Sequence, residues 1–311
     1  MTLGLAETGN ALRFARDTWS IPAMYGEVLE LLALLSFLWW GLLLVNKWIT
    51  NRSAALTELR DPVQASFLAL VPESILLMAI AVDPYSSVVT TVLFWIGSIS
   101  NLAYALYRFA HMWMSQRTPD QTTPSLFLTY TASVLVNALV AGLLGYREYG
   151  WMIFGVGTIS WLILDSVLLQ QLMTGGLAER TRNFMGIYMA PGAIVLVAYQ
   201  VLSDSASQSM ITYALAGYSL FLTLSLAISL GWLRKQPFAA GYWAYTFGVA
   251  TVAQGLLIMA REQHAFIFQT VTAVVLAASL LLTLLVAIAS IRLFALRRYY
   301  PPAAVPSVPQ K

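Results

Sequence analysis

Nine long apolar runs, joined by connections of only a few residues, constrain this chain more than any other feature. They cover about 27–48, 63–82, 87–113, 125–145, 150–173, 184–202, 208–232, 238–260 and 265–296. A helix crosses the hydrocarbon of a bilayer with about 20 apolar residues, so each run has the length of one crossing. A tenth run, 2–14, is short and holds Glu7, Asn10 and Arg13. It lacks the basic start and long apolar centre of a secretion signal. Composition agrees: 59% of the 311 residues are hydrophobic and 10% are charged, against about 25% charged in soluble domains. That much apolar surface cannot be hidden from water. A soluble enzyme or a nucleic-acid binder is excluded, and the lipid bilayer is the first partner. The expected fold class is an all-α polytopic membrane protein with ten transmembrane helices.

The short connections make sequence neighbours pack as antiparallel hairpins, five in all. Val63, Ser125, Phe184 and Phe238 open the alternate runs, and Pro62, Pro124 and Pro237 precede three of them. The spacing suggests a hairpin unit of about 60 residues. Lys and Arg are divided 13 to 4 between the two sides; Arg13, Arg16, Arg147 and Arg261 form the minority. Positive residues stay on the cytoplasmic side, so the C-terminus is expected there, and the N-terminus too if the first run crosses. Residues 1–300 then form one transmembrane channel domain. Residues 301–311, with four prolines in eleven residues, are expected to be a disordered cytoplasmic tail.

The helices that start on the cytoplasmic side carry breakers: Pro72, Pro191 and Gly248. At 1.5 Å per residue, Pro72 and Gly248 fall about 15 Å into the membrane. A mid-helix proline frees a carbonyl, which lipid cannot satisfy but protein or a water-filled cavity can. These helices are therefore expected inside, lining a central pore, with their straighter partners outside. Packing alone could also explain such kinks. Five helix N-termini at one mouth would each present about half a positive charge and, with the basic loops, favour anions.

No cysteine is present, so disulfides, thiolate metal sites and iron–sulfur clusters are excluded. The two histidines, His111 and His264, fall on opposite faces, and no lysine lies midway along an apolar run; Lys47 is at the end of one. No hydrolytic motif or nucleotide-binding loop is visible. No metal, cofactor or enzymatic activity is expected.

Several stretches look familiar in combination. They are Arg60-Asp-Pro-Val-Gln-Ala-Ser-Phe-Leu-Ala-Leu-Val-Pro72, Thr123-Pro124-Ser-Leu-Phe-Leu, Leu144-Gly-Tyr146, Phe154-Gly-Val-Gly157, Trp161, Val167-Leu-Leu-Gln170, Met185-Gly-Ile-Tyr-Met-Ala-Pro191, Gly217-Tyr218 and Trp243-Ala-Tyr-Thr-Phe-Gly248. Each is weak alone; in collinear order they span almost the whole chain. The chain resembles the TehA-like tellurite-resistance/C4-dicarboxylate transporter family, bacterial relatives of the plant slow anion channels. The resemblance implies ten helices in a quasi-five-fold arrangement, inner helices kinked at Pro or Gly (Gly4 among them), both ends cytoplasmic, and a homotrimer in a bacterial inner membrane. It places Phe247 as the plug of the pore. It implies small inorganic anions or dicarboxylates as cargo, with proton-coupled malate transport or tellurite export as the alternatives. Three departures stand out. About half of the first helix of the family pattern is missing before Leu3-Gly-Leu5, Thr129 stands at a proline position of the fifth helix, and Ile228 stands at an arginine position of the eighth.

Two carboxylates lie deep in the apolar runs, Glu73 and Asp165. Charge at mid-membrane costs at least ~2.5 kcal/mol. Glu73 is expected to be neutral, bonded to Asn137, Ser133 or Gln254, or a proton carrier. Asn137 could face the pore or pair with Glu73. Asp165 is expected to bond a neighbouring helix end, and Arg108 and His111 to snorkel at the cytoplasmic interface.

Overall fold

The computed structural model describes residues 1–203 and 209–299; the expected tail lies outside them. All regular structure among the described residues is helical. The α-helices are α1 (Thr2–Trp19), α2 (Met24–Thr50), α3 (Arg52–Arg60), α4 (Leu70–Val82), α5 (Ser87–Met114), α6 (Phe127–Tyr130), α7 (Ala132–Leu143), α8 (Arg147–Thr174), α9 (Met185–Leu202), α10 (Met210–Ile228), α11 (Leu230–Leu233), α12 (Trp243–Ala260) and α13 (Phe266–Ala295). Among the described residues, eight helices are long and apolar enough to cross a membrane, nine if the bent pair α6–α7 is one span. The chain is a multi-pass helical membrane protein. α1 carries Glu7, Arg13, Arg16 and Asp17, too many charges to read as a span from hydropathy.

Neighbour contacts define two layers. α1 packs on α4, α4 on α7, α7 on α9, α9 on α12 and α12 on α1, which closes a ring of five. Each ring helix is also packed on the long helix that follows it: α2, α5, α8, α10 and α13. The sequence hairpins are therefore the radial spokes of the bundle. Burial follows the layers. The spans of α4, α9 and α12 are 67–83% buried, whereas those of α2, α5, α8, α10 and α13 are 17–33% buried. In a lipid solvent the exposed apolar side chains of the outer helices carry no penalty.

Local chemistry sets the boundaries. Ser86 and Ser209 accept bonds from Val89 N and Thr212 N, capping α5 and α10. Gly145 takes φ +84° after α7, and the bonds from Gly145 N to Gly142 O and from Tyr146 N to Ala141 O complete a Schellman stop. Four of the five ring helices start with a 3-10 turn: Gln64–Ala69, Pro124–Leu126, Glu179–Phe184 and Ala240–Tyr242. The expected repeat is thus visible in backbone geometry as well as in prolines.

Gly4, Pro191 and Gly248 lie inside unbroken α-helices. At Pro72 the backbone changes from 3-10 to α two residues earlier, at Leu70, because the proline ring displaces the carbonyl of Leu68. A bend of 44° separates α6 from α7, in the segment where Thr129 stands at the expected proline position. Thr129 Oγ1 donates to Leu126 O, a local bond that competes with the helix ladder. Thr131 leaves helical geometry at ψ −79°.

The minority arginines clip the far ends of the ring helices. Arg13 donates to Ile80 O and Ala81 O at the end of α4 and pairs with buried Glu30 of α2. Arg147 donates to Leu202 O at the end of α9, and Arg261 pairs with Asp17. Cations suit helix C-termini. Arg13→Ala leaves Glu30 buried without a cation. The expected loss is about 2 kcal/mol, below the full value for an interior pair because the guanidinium keeps some exposure. Thermal unfolding in detergent measures it, and adding Glu30→Gln should restore roughly half.

Candidate functional site

The five ring helices run parallel. Gly4 of α1 packs on Thr246 of α12, and further along Thr18 bonds Leu257 O; Gly186 of α9 meets Ala244 and Tyr245, and Gly255 of α12 meets Leu196. Their N-terminal ends surround a cavity of about 670 Å³. Its walls are mostly apolar, with Leu3, Leu70, Leu128, Ile187 and Trp243 each from a different ring segment. Gln64, Asn183 and Arg298 are polar groups at its rim. The positive ends of the ring helices face the same space.

The deepest lining residue of each ring helix is Gly4, Glu73, Ala132, Ala190 or Phe247. Three are Gly or Ala, one is acidic and one is a ring. Phe247 is 7% exposed and projects where small residues leave room. Gly4 and Gly248 do their work here by close packing. A Cβ on Gly4 would lie 2.0 Å from Thr246 Oγ1, and one on Gly248 would lie 2.8 Å from Met189 Cγ. Pro191 follows the lining residue Ala190 and does not itself face the cavity.

Glu73 is on the cavity wall, 2% exposed, with Oε2 lacking any hydrogen-bond partner. Asn137 is elsewhere. Its side chain accepts from Ser98 Oγ at 3.1 Å and donates to Asn101 Oδ1 at 3.3 Å and Tyr149 Oη at 3.1 Å. That network ties α7 to α5 and α8, so the expected pairing of Asn137 with Glu73 does not form. Neither Ser133 Oγ nor the Gln254 amide has a hydrogen-bond partner, so they do not bond Glu73 either. Asp165 bonds the Tyr218 hydroxyl at 3.4 Å, not a helix end. Arg108 does not snorkel; it is 4% exposed and, with Arg117, donates to Pro62 O. The two guanidiniums satisfy the carbonyl at the turn leading into α4.

Two buried carboxylates escaped the sequence reading. Glu30 is held by Arg13. Glu7, on α1, is 1% exposed, and neither of its oxygens has a hydrogen-bond partner. The signal was present: Glu7 and Asn10 repeat at helical spacing after Leu3 and Gly4, but the charges of α1 masked it. Among the described residues no group of His, Cys, Asp and Glu could hold a metal.

A closed ring of parallel helices around an apolar cavity, sheathed by lipid-facing partners, is the architecture of a membrane transport protein. Residues 1–291 match the family described as voltage-dependent anion channel (SLAC1), and the chain belongs to that family, one of anion channels and transporters. It is similar to the tellurite resistance protein TehA homolog of Haemophilus influenzae: 28% identical over 277 residues, 86% of this chain and 84% of that protein. It is 25% identical to the S-type anion channel SLAH2 of Arabidopsis thaliana over 249 residues, 78% of this chain and 47% of the plant protein. The S-type anion channel SLAH4 of the same plant is 25% identical over 214 residues, 65% of this chain and 58% of that one.

Proposed function

We propose that this chain conducts small anions along the axis of the helix ring, with Phe247 as the gate. The observation that carries the reading is that Phe247 lines the same cavity as Gly4, Ala132 and Ala190, each the furthest lining residue along its ring helix. A benzyl ring among residues too small to fill the bore keeps that point dry, and ions need water or polar ligands to pass. Swinging the ring aside opens a path without moving a helix. The walls below the rim are mostly apolar and offer few binding groups for a bulky organic acid, which favours inorganic anions. The positive ring-helix ends and the rim residue Arg298 attract them.

The proposed topology has ten crossings, α1 being the tenth, with both termini cytoplasmic in a bacterial inner membrane. The 13-to-4 division of Lys and Arg supports that orientation. A homotrimer, each protomer with its own pore, follows from the family likeness. Anion-substitution currents on wild type and Phe247→Ala side by side test the function. Reversal at the anion's equilibrium potential is the expected result, and absence of anion current in both proteins overturns it.

One observation favours a second reading. Glu73 on the cavity wall could carry a proton with each anion, as in a proton-coupled dicarboxylate carrier or an oxyanion exporter. Reversal potentials that shift with the pH gradient would select it.

A further inference from the structure

The deepest polar groups of the ring lie around two carboxylates that have no counter-ion. Glu73 borders the cavity, and Glu7 lies within its electrostatic reach from the neighbouring ring helix. Every element packed on them can be searched for a charge that would settle them. α7, α9 and α12 carry none. On α13 the sole charge is Arg292, in its last turn. On α5, Arg108 and His111 lie near the cytoplasmic end, Arg108 bonded to Pro62 O. On α2, Glu30 is occupied by Arg13, while Glu27 and Lys47 lie in the terminal turns. The Met1 amine and Arg298 also line the cavity that Glu73 borders, but among the described residues no ion pair joins either carboxylate to a cation, and Glu7 is the charged group that acts on Glu73.

Uncharged polar groups surround Glu7 on two helices. Asn10 follows it by three residues on α1, 5% exposed, with Nδ2 unpartnered. On α12, Thr251 and Gln254 follow Phe247 by four and seven residues, on the same face. Gln254 is fully buried and neither its Oε1 nor its Nε2 has a partner. Orphaned buried polar atoms are rare and mark places where water or a ligand belongs. Here they are buried on α1 and α12, those of α12 one to two turns beyond Phe247. An amide offers both the donor and the acceptor that a carboxylic acid needs.

We propose that Glu7 and Glu73 form a proton-binding pair on the anion path, and that anions cross only while both carboxyls are protonated. Two protons taken from the aqueous cavity bind one oxygen of each carboxyl; no other bond forms or breaks. Ionised, either group repels an anion at close range through a medium that screens poorly. Neutral, the pair and the amides of Asn10 and Gln254 become hydrogen-bond donors to the passing ion. Acid then opens the conduit and alkali closes it. This rests on the anion-conduit reading, and its test is built to fail separately.

The protein is reconstituted in liposomes with Phe247→Ala, so that the ring does not limit flux, and chloride current is recorded from about pH 8 to about pH 5. Current is expected to rise at least about tenfold on acidification. Glu7→Gln with Glu73→Gln in the same background should give the acid-level current at both pH values, and each single variant an intermediate response. An unchanged pH dependence in the double variant, or none in the parent, overturns the proposal. Infrared difference spectroscopy on the same vesicles needs no current. Protonated carboxyl bands lost in the double variant support the proton site, and their absence from the parent overturns it. Current absent from every variant overturns the conduit reading and the gating half of the proposal, while the infrared bands still decide the proton site.

Discussion

Replacing Phe247 by Ala is expected to raise anion current by about two orders of magnitude, the equivalent of removing ~2.7 kcal/mol from the permeation barrier. In the proposed gate the barrier arises because the ring lines the cavity beside residues too small to fill it, Gly4, Ala132 and Ala190. Its face cannot replace the hydration shell of an ion. Truncation to a methyl group lets water bridge the cavity and the polar turn beyond it. Truncating a packed core Phe would cost 3–5 kcal/mol of stability. Phe247 borders a cavity on one side, so the smaller end of that range, about 3 kcal/mol, is expected, and the melting temperature in detergent reports it. Phe247→Leu should give an intermediate current because a branched aliphatic group still fills part of the bore. Phe184→Ala is the control. Its ring lines the wide mouth and lies against Phe67 at a centroid distance of 5.4 Å, so current should stay within about twofold. If the Phe184 variant opens the protein and the Phe247 variant does not, the gate is at the mouth.

The fold was legible because lipid leaves few options. Apolar runs of crossing length must be helices, short connections must be hairpins, and the 60-residue spacing of prolines announced the five spokes. What escaped was the distinction between a residue that bends a helix and one that lets two helices touch. Gly248 and Pro72 look alike as breakers in a sequence. In three dimensions Gly248 accommodates Met189, and Pro72 stands just after a change of helix type. A 44° bend falls at Thr131, a residue with no breaker reputation, where the hydroxyl of nearby Thr129 competes for the local backbone. Partners of buried polar groups were equally hidden. Asn137 finds Ser98, Asn101 and Tyr149 only through the packing of α5 and α8 on α7, which no local pattern encodes. Glu7 was missed for the opposite reason. The charges that disqualify α1 as an independent membrane span are the ones the ring uses: Arg13 as a clip and Glu7 as an interior group.

The same distinction yields the largest expected effect on folding, at a position that carries no chemistry. A Cβ on Gly186 would lie 2.7 Å from Tyr245 N and 2.9 Å from Ala244 C. Those are backbone atoms of α12, which cannot rotate out of the way, so α9 and α12 would have to move apart at the point where the ring closes between them. Gly186→Ala is expected to cost at least about 3 kcal/mol, the upper end of overpacking penalties, and Gly186→Val to prevent accumulation of folded protein. At Gly248 the obstacle is Met189 Cγ, Sδ and Cε, an unbranched side chain with three rotatable bonds. The added methyl also gains about 1 kcal/mol of helix propensity. Gly248→Ala should therefore fall within about 1 kcal/mol of wild type. Gly4→Ala belongs between them: Thr246 must turn and give up its bond to Trp243 O, 2.8 Å long, but no backbone need shift. Thermal melts of the three alanine variants in one detergent provide the ranking. If Gly248→Ala proved the most damaging, a hinge at that residue would replace packing as its role, and gate opening would have to involve α12 bending as well as the turning of one side chain.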